Sequence, residues 1–133
     1  MPCADVEHER AVAISEVRAA FERYEEALRR HDVEALNSFF LRSADTVRYG
    51  IAEENYGWEA IAAYRRAAAP IHPERRLGRT VIVSISADVA CISAEFTDAG
   101  IAGIGRQTQT WVRTDEGWRI AQAHVSTSAA EHR

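Results

Sequence analysis

No run of apolar residues in this chain approaches the ~20 needed to span a bilayer as a helix, so no membrane partner is expected. The opening residues Met1-Pro2-Cys3-Ala4-Asp5 lack the apolar stretch of a secretory leader, and a cytoplasmic protein is expected. Cysteine is scarce. Cys3 and Cys91 stand far apart, which excludes a disulfide framework, and Cys91 reads as a small buried hydrophobe in an apolar strand. An excess of positive charge is missing as well. Sixteen basic residues, with arginine dominant, face twenty acidic ones for a net charge of -4. That balance excludes the basic face that a phosphate backbone requires, so no nucleic-acid partner is expected. There is no glycine-rich phosphate loop, CxxC pair or HExxH. The histidines His8, His31, His72, His124 and His132 show no ligand spacing. The expectation is a protein without metal or cofactor. His124 and Ser126 fall two apart on one strand, roughly 7 Å between Cα atoms, too far for a nucleophile–base hydrogen bond.

What is present suits one small domain. The chain has 133 residues and a hydrophobic share of 47%, enough to bury well over half of its unfolded surface without a staple. Residues 1–10 are polar and without clear period, and read as a flexible lead-in; residues 11–128 read as the single domain. Ile14, Val17, Phe21, Tyr24 and Leu28 then recur every three or four residues, with Glu16, Glu22, Glu25 and Arg29 among the residues between them. This predicts an amphipathic helix of about five turns, solvated on one side. Asp32 is placed to cap a short second helix carrying Val33, Leu36, Phe39 and Phe40.

The period then becomes two. Thr46, Arg48 and Gly50 alternate with Val47, Tyr49 and Ile51, as in a strand, and Glu53-Glu54-Asn55 reads as a turn. Trp58, Ile61, Tyr64 and Ala68 predict a third helix that Pro70 stops. Strands are expected at about 77–87, 89–98, 102–114 and 117–127. The first pair is joined tightly at Ala87-Asp88, the last by Thr114-Asp115-Glu116-Gly117. Helices first and a run of strands afterwards is the α+β pattern. The expected architecture is a cone-shaped, curved antiparallel sheet with three helices on its concave face and a cavity open at one end.

Three segments carry a resemblance. Gly105-Arg106-Gln107-Thr108-Gln109-Thr110-Trp111-Val112-Arg113, with Glu116-Gly117-Trp118-Arg119-Ile120 and His124-Val125-Ser126, resembles the closing hairpin of nuclear transport factor 2-like proteins. The SnoaL and ketosteroid-isomerase branches and the calmodulin-dependent kinase association domain share that hairpin. Val47-Arg48-Tyr49-Gly50-Ile51 and the stretch from Gly57-Trp58 to Tyr64-Arg65 narrow the likeness to the AtzH-like, oxalurate-catabolism subgroup. The resemblance covers about residues 12–127. Because enzymes, binders and assembly domains share this fold, the fold alone does not assign an activity.

The candidate site residues follow. Arg48 has apolar neighbours facing the other way, so it points either to solvent or into the cavity. An internal sheet face holds a guanidinium only with an anionic partner or a ligand, and the resemblance implies a cavity arginine suited to a carboxylate. Tyr24 lies on the apolar stripe of the first helix. It is either a core tyrosine or, as the resemblance implies, a cavity hydroxyl beside Arg48 able to donate a proton or stabilise an oxyanion. If Arg113 pairs with Trp118, Gln109 opposes Gln122 and Gln107 opposes His124. That makes a polar ladder of Gln107, Gln109, Gln122 and His124, lining the pocket or forming an outer dimerisation face. His124 is either a catalytic or a structural histidine. Glu95, on the strand face of Cys91, is either an inward carboxylate or an exposed strand glutamate, and the second is expected. The functional expectation is binding, with transformation, of a small anionic amide- or urea-type metabolite. The rival is a non-catalytic accessory domain. A homodimer is expected through an outer face of Thr108, Thr110, Val112, Ala121, Ala123 and Val125, since large uncovered apolar patches mark interfaces.

Overall fold

The structure, a computed structural model, describes residues 3–128. Helix α1 runs Cys3–Arg30, α2 Val33–Ser38 and α3 Trp58–Ala67. Strands β1 Val47–Tyr49, β2 Glu54–Tyr56, β3 Arg76–Ser86, β4 Val89–Thr97, β5 Gly105–Thr114 and β6 Gly117–Thr127 form one sheet in the order β2-β1-β6-β5-β4-β3. This is the expected α+β architecture, a curled sheet with helices against one side. Two details differ from the sequence reading. Helix α1 begins at Cys3, so residues 3–10 continue the helix with Asp5–Arg10 exposed. The sheet is mixed, because β1 joins β6 in parallel, Arg48 opposite Ala123. The chain entering β1 from α2 is pinned to β6, where Ile120 N donates to Phe39 O at 2.7 Å and Leu41 N to Ile120 O at 2.9 Å.

The core lies between α1 and the sheet. Ala13, Val17, Ala20, Phe21, Tyr24, Ala27 and Leu28 repeat at three- and four-residue spacing and are all buried. They meet Ile92, Trp111 and Ile120 on the inner sheet face, and burying each large side chain stabilises the fold by roughly 1.5–3 kcal/mol. Helix α1 ends at His31, whose φ of 53° turns the chain back so that Asp32 N donates to Ala27 O at 2.9 Å. Asp32 then caps α2 as expected, its Oδ1 accepting from Ala35 N at 3.3 Å. Gly57 sits at φ 90° ahead of α3, a conformation that strains any side chain. Trp58 at the start of α3 is tied to α2 by its indole N–H donating to Asn37 O at 3.0 Å.

The closing hairpin holds a bulge. Arg113 pairs with Trp118 as anticipated and Trp111 with Ile120, but Thr110 pairs with Gln122, leaving Ala121 as an extra residue. Beyond it every side chain of β6 changes sides. Gln109 therefore opposes Ala123 and Gln107 opposes Val125.

Candidate functional site

A cavity of about 180 Å³ lies between α1, α3, the segment 71–75 and the inner faces of β1, β5 and β6. Alternation puts Arg48 of β1 on that inner face, and it is only 8% exposed. Gln107 and Gln109 enter from β5, and Tyr24 from the buried stripe of α1. Two larger hollows, about 330 and 390 Å³, share the lining residues Arg42 and Trp58, whose guanidinium and ring stack at 3.8 Å. Most of the charged side chains lining them are exposed. In the cavity beside α1 the side chains of Arg48, Arg65 and Arg75 are buried, where each needs a partner or a ligand, so that cavity is the candidate site.

Three arginines reach it, in three electrostatic states. Arg48 Nη1 donates to Glu53 Oε1 at 2.9 Å and to Asn55 Oδ1 at 3.1 Å, and its guanidinium lies 4.5 Å from the Tyr64 ring centre. Burial disfavours the Glu53 carboxylate, but hydrogen bonds from Arg48 and Tyr64 and the Arg48 charge outweigh that and hold its pKa below the usual range. Arg75 donates to Glu25 in a pair that is 7% and 2% exposed, and the second oxygen of Glu25 accepts from Gln107 Nε2 at 3.0 Å. The side chain of Arg65, a residue 7% exposed, makes no hydrogen bond or ion pair among the described residues; it only approaches the Tyr64 ring at 5.7 Å. Among those residues, Asn37 Nδ2 is the one sealed side-chain nitrogen or oxygen without a partner. The nitrogens of Arg65 therefore keep accessible surface, and the residue lines the cavity.

The hydroxyl of Tyr24 is unpartnered too, although its ring packs edge-on against Phe39, Phe40 and Trp111 at 5.8, 6.3 and 6.4 Å. The ring belongs to the core, and the residue also lines the cavity.

The structure thus gathers Tyr24, Arg48, Gln107 and Gln109 around one space. It does not bring Gln122 or His124 there. The bulge at Ala121 turns both to the outer face, where they are exposed and His124 meets the edge of Tyr49 at 5.5 Å. The four-residue polar ladder is therefore split between two faces. The same change of sides corrects the outer patch: Ala123 and Val125 line the cavity, while the outer face carries Val81, Val83 and Ile85 beside Thr108, Thr110 and Val112. Cys91 is half-buried on that outer face, and Glu95 shares it. The sequence reading missed Glu25 and Arg65, yet both hold the right phase. Glu25 stands four after Phe21 and three before Leu28, and Arg65 completes the stripe Trp58, Ile61, Ala62.

The pattern of the AtzH-like family matches residues 6–131. The chain belongs to the AtzH-like family. Among solved structures, this AtzH-like protein is 45% identical to a cystatin-like fold protein from Burkholderia xenovorans LB400, covering 88% of this chain and 92% of that one with a TM-score of 0.85. It is 47% identical to a DUF3225-family protein of unknown function from Pectobacterium atrosepticum SCRI1043, over 90% and 94% of the two chains, TM-score 0.86. A nuclear transport factor 2-like superfamily protein from Salmonella enterica serovar Typhimurium LT2 shares the fold at 21% identity, over 90% and 93%, TM-score 0.72. No curated protein matches the sequence.

Proposed function

We propose that this AtzH-like protein binds and transforms a small anionic amide- or urea-type metabolite of nitrogen catabolism, of the oxalurate or triazine-derived kind. The observation that carries the reading is Arg65, a cavity-lining arginine only 7% exposed whose side chain has no acceptor among the described residues. Such a charge is costly unless an anion completes it. With Arg48 already bound to Glu53, Arg65 supplies the uncompensated charge, and the free edges of the Arg48 guanidinium add donors for the same carboxylate. Size supports a short ligand, since about 180 Å³ falls below the ~300–1,000 Å³ of sites for drug-sized molecules. The unpartnered Tyr24 hydroxyl is the group able to give a proton or a hydrogen bond to a developing oxyanion. Gln107 and Gln109 orient the substrate. The reaction classes open to this set are cofactor-free amide hydrolysis, decarboxylation and isomerisation. A thermal-shift series of small carboxylates and ureido acids tests the reading, because a ligand that binds only the folded state raises the melting temperature with occupancy. Failure of every member at millimolar concentration defeats it.

Tyr24→Phe separates an enzyme from a non-catalytic binder. Removing an interaction made mainly in the transition state lowers kcat with little change in ligand affinity. The expected result is a loss of about tenfold or more in turnover, read against an unchanged dissociation constant. Equal turnover in the variant assigns the hydroxyl no part in the chemistry.

The outer sheet face favours a homodimer. Val81, Val83 and Ile85 are 43%, 48% and 54% exposed on strand β3, a run of apolar side chains of the kind that marks an interface. Light scattering at micromolar concentration is expected to give the mass of two chains, and Val83→Lys to give that of one. A monomeric mass for the unaltered protein rules the dimer out.

A further inference from the structure

The two glutamines of the cavity are held in opposite senses. A carboxamide has an acceptor at one end and a donor at the other, and what grips one end decides which is offered elsewhere. Gln107 Nε2 donates to Glu25 Oε2 at 3.0 Å. Glu25, paired with the Arg75 guanidinium, can only accept, so turning the Gln107 amide over would set oxygen against oxygen. Gln109 Oε1 accepts from the Trp111 indole N–H at 2.9 Å. An indole can only donate, so turning Gln109 over would set N–H against N–H. The groups left over are the oxygen of Gln107 and the nitrogen of Gln109. Neither has a protein partner and neither is sealed from solvent, since Asn37 Nδ2 is the one such atom among the described residues.

We infer that the glutamines read different atoms of one ligand: Gln107 Oε1 accepts from a ligand N–H, and Gln109 Nε2 donates to a ligand carbonyl oxygen. This rests on the cavity being the anion site proposed above, and it names the two residues that recognise the carbamoyl or ureido group of that ligand. The arginines and Gln109 only donate, so they hold oxygen and do not distinguish an amide from a ketone. Tyr24 works in either sense. Asp98, which also lines the cavity, is only half-buried, and its Oδ1 accepts from Gly100 N. Gln107, fixed by Glu25 and Arg75, is the buried acceptor that selects for nitrogen. A ligand without that N–H leaves a buried acceptor unpaired, which costs more than the hydrogen bond itself contributes.

Calorimetric titration with matched ligands tests this. N-Carbamoylglycine and 4-oxopentanoate share skeleton, charge and carbonyl, but only the first has N–H groups; oxamate and pyruvate form a shorter pair. The nitrogen-bearing member of each pair is expected to bind roughly tenfold tighter or better, and Gln107→Met to bring the members of a pair to within a fewfold. Equal binding within both pairs overturns the inference and leaves the anion site standing. Binding by no member overturns both. A preference that survives Gln107→Met also overturns the inference, because another group then reads the nitrogen. Should Gln107→Met fail to fold, side-chain amide ¹⁵N spectra of the unaltered protein decide. The Gln109 carboxamide is expected to shift with every ligand that binds, while the Gln107 NH₂, committed to Glu25, stays in place; movement of Gln107 as large as that of Gln109 refutes the assignment.

Discussion

Glu25→Ala is expected to destabilise the protein by about 3–5 kcal/mol, as breaking one side of a buried ion pair does. The side chain of Glu25 is 2% exposed and holds two donors from distant parts of the chain, Arg75 ahead of β3 and Gln107 in β5. Its removal leaves a guanidinium that is 7% exposed without a counter-charge and an amide N–H₂ without an acceptor. In a domain of this size the melting temperature is expected to fall by roughly 10–15 °C. Glu26→Ala, one residue along, is the control. Its carboxylate pairs with Arg29 at 2.5 Å, but the two side chains are 51% and 53% exposed, so the change is expected to stay within about 0.5 kcal/mol. The double replacement Glu25→Leu with Arg75→Met is expected to recover most of the loss, because an apolar pair carries no desolvation penalty. A Glu25→Ala loss under about 1 kcal/mol, read by urea unfolding, would show that the pair does not hold α1 to the sheet.

How far the sequence disclosed this site depended on the kind of signal each residue carried. Apolar periodicity placed α1, α2 and α3, and the step from period 3.6 to period 2 placed the strands, because burial of one face is what those periods record. Arg48 was legible for the same reason: its neighbours Val47 and Tyr49 share the other face, and a cation alternating with them on a strand needs an explanation. Glu25 and Arg65 followed the same arithmetic but were charged. A charged residue on a helix is ordinarily solvated, and that habit hid two side chains whose spacing from Phe21 and Leu28, or from Ile61 and Ala62, put them inside.

The bulge at Ala121 is a different case. Ala121 has no glycine or proline to mark it, and one extra residue in a ladder leaves no trace in a two-residue alternation of small and polar side chains. From Gln122 onward, each side chain of β6 was therefore assigned to the wrong face. His124 and Gln122 left the site, and Ala123 and Val125 entered it. The parallel pairing of β1 with β6 was hidden for a related reason. It depends on where a short strand docks after the α2 loop, which is a tertiary choice made by the backbone bonds of Phe39 and Leu41 to Ile120. The closing hairpin, by contrast, was readable in detail, since Thr114-Asp115-Glu116-Gly117 fixes its own geometry, with Gly117 at φ 108°.

The other large effect is expected at Arg65. Arg65→Met should weaken binding of a small carboxylate by about 2–4 kcal/mol, thirty- to several-hundredfold, which is the usual scale for a desolvated charge-assisted contact. Folding stability should hold or rise, because the side chain of the arginine has no hydrogen-bond or ion-pair partner among the described residues to leave behind and methionine fills a similar stem volume without the buried charge. Arg48→Met should differ in sign. It strands the Glu53 carboxylate and Asn55 Oδ1, both held by Nη1. Because Glu53 is 27% exposed, that loss is discounted to about 1–2 kcal/mol. The acid limb distinguishes the two variants further. Glu53 titrates below the ordinary carboxylate range in the folded protein, with burial opposing ionisation and the bonds from Arg48 and Tyr64 outweighing it. Its contribution is therefore fully present above the unfolded-state pKa and is lost as pH falls through the lower folded one. Stability of the unaltered protein and of Arg65→Met should decline together on acidification, whereas Arg48→Met should lose part of that dependence. A ligand dissociation constant in Arg65→Met within threefold of the unaltered protein would remove Arg65 from the anion site and leave its burial without a function.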